Sequence, residues 1–165
     1  QAGYNITTGT NNTCLGNGAT GSSSISNTII LGNSLIQVLY CQVTGLTHLS
    51  DERDKKNINP LPVGLEFIND LNPVEFDWNM RDGGKVDIHE FGFIAQELKA
   101  SQVKLGITVP NLVYEENPDR LEASYGTLLP LMVNATKELS SKINCLTSEI
   151  AYLKLEIEKI KQNTV

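Results

Sequence analysis

Ser50 and Lys55, in the stretch THLSDERDKKN from Thr47 to Asn57, are the residues best suited to chemistry. A serine hydroxyl becomes a nucleophile when a neighbouring base takes its proton, and lysine is one of the bases that serve. The demand on the lysine is steep. Its reference pKa near 10.4 must fall by about three units, a cost of roughly 4 to 5 kcal/mol, before it can act as a base near neutrality. Burial and a nearby cation are the usual means, and Arg53 lies between the two residues. Spacing adds a second demand. Five residues turn about 140° around a helix, and along a strand they reverse the face, so regular structure would hold the two side chains apart. Either the backbone bends between them or the lysine comes from a neighbouring chain, and a site of the second kind would be silent in an unassembled monomer. A plainer reading competes with both. Ser50 followed by Asp51 and Glu52 also spells a helix start, a hydroxyl cap with acids opposing the positive end of the helix, which leaves Lys55 and Lys56 as solvated surface.

The elements around this stretch differ on its two sides. Gln1 to Leu49 contain no Asp, Glu, Lys or Arg, so all 13 basic and 19 acidic residues fall between Ser50 and Val165. The uncharged part is rich in Gly, Ser, Thr and Asn, a composition shared with flexible linkers. It also repeats: NTCLGN (Asn12 to Asn17) returns as NTIILGN (Asn27 to Asn33), with Gly16 and Gly32 at equivalent places. Short apolar runs between Gly and Asn turns suit repeated strands. Such strands bury little within one thin chain, so winding three identical chains into a fibre is the economical solution. The run IIL…LIQVLY, Ile29 to Tyr40, is too apolar for a solvated linker.

Beyond Ser50 the pattern is mixed. PLPVGLEFINDLNP, Pro60 to Pro73, predicts a short helix with an apolar face at Leu65, Ile68 and Leu71. VEFDW, Val74 to Trp78, alternates like a strand, and RDGG, Arg81 to Gly84, supplies a turn. FGFIAQEL, Phe91 to Leu98, predicts a buried strand running into a helix that continues toward Gln102, and Leu112 to Tyr125 predicts a hairpin around Asn117 and Pro118. The last forty or so residues are strongly periodic. Leu139, Leu146, Leu153 and Ile160 recur every seventh residue, with Ile143, Ile150 and Ile157 in the same register. That narrow stripe is the seam of a coiled coil, with Glu149 and Glu156 at g facing Lys154 and Lys161 at e of a parallel neighbour. Ile at a with Leu at d leans toward dimers. Thr127 as N-cap would place Pro130 at the third helical position, where its missing N–H costs nothing.

Several classes are disfavoured. A net charge of −6 argues against a phosphate-tracking nucleic-acid surface. Three cysteines, Cys14, Cys41 and Cys145, with no CxxC pair argue against a disulfide framework or zinc site. No segment approaches a membrane span, nor does the N-terminus have the order of a signal peptide, so the sequence reads as soluble. His89 with Asp87 and Glu90 is too weak a cluster for a metal, and His48 reads as an ordinary residue of the uncharged part. No cofactor is expected.

SDERDKKNI, Ser50 to Ile58, resembles the S-D-x-R-x-K-x-x-I opening of the self-cleaving C-terminal intramolecular chaperone domains of phage endosialidases, tailspikes, tail fibres and neck appendages, a domain also known in a eukaryotic myelin regulatory factor. FINDLNPVEFDWN (Phe67 to Asn79), GFIAQEL (Gly92 to Leu98) and YGTLLPLMVNATKEL (Tyr125 to Leu139) follow in order. The resemblance covers Ser50 to about Ile160 and implies an α+β, homotrimeric protein: a β-rich intertwined stalk over 1–49, a mixed α/β chaperone domain over 50–126 and a coiled-coil helix over 127–162. It further implies that the domain takes its own N-terminal fibre as folding client and cuts the Leu49–Ser50 bond, with no nucleic-acid or membrane partner. In that scheme Ser50 is the nucleophile, Lys55 its partner, and Asp51 and Arg53 supporting residues. The implied setting is a virion fibre or tail component assembled in the host cytoplasm. A non-cleaving structural trimerisation domain remains the alternative.

Overall fold

The computed structural model describes all residues except 37, 43, 44, 46, 118, 164 and 165. Gln37, within the apolar run of the uncharged part, and Pro118, at the expected hairpin tip, thus lie outside the described residues. Two compact units are formed, one of Gln1–Ser50 with Glu75–Phe91, the other of Asp51–Val74 with Gly92–Val165. The grouping in space therefore differs from the order along the chain, because residues 75–91 join the uncharged segment.

In the first unit the sequence repeat becomes a structural one. Strands β1 (Thr13–Leu15) and β2 (Ile29–Leu31) pair in parallel, Thr13 opposite Ile29, Cys14 opposite Ile30 and Leu15 opposite Leu31. Every pair is thus one repeat of 16 residues apart. Side chains extend the ladder: Asn11 Nδ2 donates to Asn27 Oδ1 at 2.8 Å, the Thr28 amide to Asn12 Oδ1 at 3.2 Å, and Asn33 Nδ2 to the Asn17 carbonyl at 3.0 Å. The turns repeat as well. Asn11 and Asn27 both have φ near +57°, and Gly16 and Gly32 are both left-handed at +103° and +71°, so the residue types that tolerate positive φ recur where the coil needs them. The two repeats thus stack on each other within one chain.

The rest of this unit is the hydrogen-bonded strand pair β3 (Val74–Asn79) and β4 (Val86–Gly92), whose connecting turn places Gly83 at φ +74°. Val74, Phe76 and Trp78 alternate with exposed residues, as the sequence predicts. Phe91, expected in a buried strand, is instead 77 % exposed.

The second unit is built on helices. After a single 3-10 turn, Glu52–Asp54, come α1 (Leu65–Asp70) and α2 (Ala95–Leu105). A small antiparallel pair follows, β5 (Val113–Tyr114) with β6 (Glu122–Ala123), and then α3 (Leu128–Asn163). The core gathers Phe67, Leu98, Val109, Leu112, Leu128 and Leu131, with Ile68 and Leu71 packed against it. Phe67, absent from the face expected for α1, is its buried residue, while Leu65 is only half-buried. The core spans α1, α2, the hairpin and the first turns of α3, so no one of these segments buries its face alone. Helix α2 ends at Leu105, three residues past the expected end, and is closed by Gly106, left-handed at φ +63°. Helix α3 begins at Leu128 with Pro130 third in line, but the Thr127 hydroxyl donates to the Ser124 carbonyl at 2.7 Å and closes the preceding 3-10 turn.

At 36 residues α3 is about 54 Å long by its rise of 1.5 Å per residue. Only its first turns enter the core, through Leu128, Leu131 and Ala135. From Leu139 onward the seam residues Leu139, Ile143, Leu146, Ile150, Leu153, Ile157 and Ile160 are 47 to 63 % exposed in the single chain. No helix among the described residues is long and apolar enough to cross a membrane.

Candidate active site

The structure decides first between capping and other roles for Ser50. The 3-10 turn is capped by Asp51, whose Oδ1 accepts the Arg53 amide at 2.9 Å with φ −67° and ψ 136°. Ser50 lies one residue outside that cap, in irregular, exposed backbone. The helix-start explanation of this stretch therefore belongs to Asp51. Leu49, on the other side of the candidate scissile bond, is 99 % exposed.

A turn follows Ser50 along the chain. The Asp54 and Lys55 amides donate to the carbonyls of Asp51 and Glu52 at 3.3 and 3.0 Å, closing the turn between Ser50 and Lys55. Lys55 then returns to extended backbone at φ −118° and ψ 152°, and Asn57 takes a left-handed φ of +56°. Lys55 and Lys56 are exposed.

Asp51 and Arg53 form a unit. Besides the capped amide, Arg53 Nε donates to Asp51 Oδ1 at 3.0 Å and Nη2 to Oδ2 at 2.6 Å. This two-pronged contact holds the Asp51 carboxyl below the usual carboxylate range, through the side-chain bond first and the backbone bond second, and raises Arg53. The guanidinium charge is thus paired with the Asp51 carboxylate.

Neither histidine is part of the turn that Asp51 caps. His48 is exposed in the irregular segment before Leu49. His89, on β4, has Nδ1 2.8 Å from Asp77 Oδ1 and Nε2 3.9 Å from Glu75 Oε2, both on β3. No group of three or more metal-ligating side chains is present among the described residues. On the same hairpin, the Trp78 indole donates to Glu90 Oε2 at 2.6 Å and Lys85 Nζ reaches Glu90 Oε1 at 3.1 Å. Glu90 is accordingly held below the ordinary carboxylate value, chiefly by the indole.

One grouping escaped sequence reasoning. Glu138 Oε2 accepts the Leu65 amide at 2.9 Å, while Asn134 Nδ2 lies 3.2 Å from the Leu61 carbonyl, 3.0 Å from the Val63 carbonyl and 3.1 Å from Glu138 Oε1. Gly64 lies at the point of closest approach, where a Cβ would push the Glu138 carboxylate and the Asn134 amide aside. The only sequence signal was Asn134 and Glu138 four apart on one helix face, a spacing too common to single out.

Residues 50–114 match the model of a peptidase family described as chaperone of endosialidase. No curated protein and no solved structure gives a match. The match begins at Ser50, the first residue of the charged part, and ends at Tyr114 in β5; the motif YGTLLPLMVNATKEL and the seam lie beyond it. From Ser50 to Tyr114 the chain is thus similar to the chaperone-of-endosialidase family.

Proposed function

We propose that this chain joins the end of a β-rich viral fibre to the chaperone that folds it, and that the chaperone assembles as a homotrimer and then cuts itself off between Leu49 and Ser50. The observation that carries the reading is the state of that junction. Leu49 is almost wholly exposed, Ser50 is outside the cap, and the family match starts at this serine. The backbone is open to attack where an uncharged client meets its charged tool.

The Ser50 Oγ attacks the Leu49 carbonyl carbon while Lys55 takes the hydroxyl proton. Collapse toward the nitrogen side breaks the C–N bond, the proton passes to the departing amine, and an ester between Leu49 and Ser50 Oγ results. Water then hydrolyses the ester, leaving a Leu49 carboxylate and a free Ser50. Direct hydrolysis of the peptide gives the same products. Either way each chain turns over once. Trimerisation through the α3 seam supports the timing, because a base drawn into an assembled site becomes active only when three chains meet.

Denaturing electrophoresis tests the cleavage: wild type should give fragments of 49 and 116 residues, and Ser50→Ala and Lys55→Ala a single band of 165. Uncut wild-type trimer, kept at neutral pH until any slow reaction is complete, would refute it. The exposed seam by itself favours a second reading, a structural staple in which no bond breaks, and the same gel separates the two.

A further inference from the structure

We infer that Asn134 and Glu138 are positioning residues that tie the segment behind Lys55 to the root of the seam helix, so that assembly sets the lysine's place. The inference rests on the proposed self-cleavage for its functional meaning.

Glu138 immediately precedes Leu139, the first seam residue, and Asn134 lies one turn before it. Their side chains grip Leu61, Val63 and Leu65 through three backbone hydrogen bonds and brace each other through a fourth. From that grip to Lys55 the chain runs six residues, at most about 20 Å when extended. The segment 55–64 forms neither helix nor strand. Its middle is nonetheless restricted, since Pro60 and Pro62 fix their own φ and bias Asn59 and Leu61 toward extended backbone. Any rotation or shift of the helix root when the seam closes is therefore carried toward the lysine by a short strut. The first turns of α3, held by Leu128, Leu131 and Ala135 in the core, provide the fulcrum.

The test uses the full chain and reads the first-order cleavage rate of the assembled fraction, isolated by sedimentation. Glu138→Ala and Asn134→Ala should assemble as wild type does yet cleave at least tenfold more slowly. Glu138→Gln, which still offers an oxygen to the Leu65 amide, should fall between. Inserting Gly-Gly between Asn59 and Pro60 leaves clamp and seam intact but slackens the strut, and should slow cleavage similarly even where Glu138→Ala does not fold. A purely structural clamp would lower the assembled amount without changing its rate, and wild-type rates in the assembled insertion variant would overturn the inference. If wild type assembles and stays whole, self-cleavage fails and hydrogen exchange reads the clamp instead. The Leu65 amide should exchange at least tenfold faster in Leu146→Asp than in assembled wild type, and equal protection would again overturn the coupling.

Discussion

Replacing Leu146 with aspartate should abolish assembly and, with it, cleavage. Leu146 sits midway along the seam and is 56 % exposed in the single chain. Full burial of a leucine is worth roughly 1.5 to 3 kcal/mol, so covering the remaining exposure gains about 0.8 to 1.7 kcal/mol per chain, or about 2.5 to 5 per trimer. At about 1.4 kcal/mol per factor of ten, losing that gain lowers the association constant by roughly a hundredfold to a few thousandfold. Three carboxylates brought together in an apolar seam add a desolvation cost of several kcal/mol more. Leu155 provides the control. It is 58 % exposed on the same helix but occupies an f position, away from the seam, so Leu155→Asp should lose only the small difference in helix propensity. Sedimentation equilibrium across a hundredfold range of concentration, followed by denaturing electrophoresis of each sample, reads both steps. A Leu146→Asp protein that assembles normally would refute the seam, and a monomer that cleaves at the wild-type rate would refute the dependence of chemistry on assembly.

Phe67→Ala removes the fully buried side chain at the centre of the second unit and should cost about 3 to 5 kcal/mol, measured by denaturant unfolding, whereas Phe91→Ala, on an exposed ring, should cost well under 1 kcal/mol. Trp78 is the single tryptophan and its indole donates to Glu90, so its fluorescence should report that carboxylate. Because the folded Glu90 is held below its ordinary value of 4.5, the contact contributes stability above the unfolded pKa and loses it as pH falls through the folded one. The fluorescence midpoint should therefore lie below pH 4.5, and Glu90→Gln should remove the transition; a midpoint at or above the ordinary value would contradict the hydrogen bond.

Legibility in the sequence followed the range of the interactions. The long helix α3 was readable because heptad spacing is a local property of one helix, and the hairpin strand Val74–Asn79 because alternation is local too. The coil offset was readable as a repeat, but its pairing partner was not, since nothing in NTIILGN distinguishes stacking on its own chain from winding with another. At α1 the periodic face omitted Phe67, which is buried by α2 and the root of α3, elements distant in sequence. In the candidate site, Ser50 and Lys55 were singled out by residue type and by resemblance, whereas the capping role of Asp51 turned on a choice between adjacent residues that only geometry makes. The grip of Asn134 and Glu138 on residues 61–65 joins positions more than seventy apart, beyond the reach of any pattern of spacing.

The coil of the first unit behaves as a ruler. Neighbouring strands sit about 4.8 Å apart, so each added block of 16 residues would lengthen the shaft by about that distance while every asparagine still met its counterpart below. Insertions of any other size would put asparagine over leucine and glycine over a branched side chain. The length of the coil could then change during evolution in whole rungs only, without redesign of the Leu49–Ser50 junction.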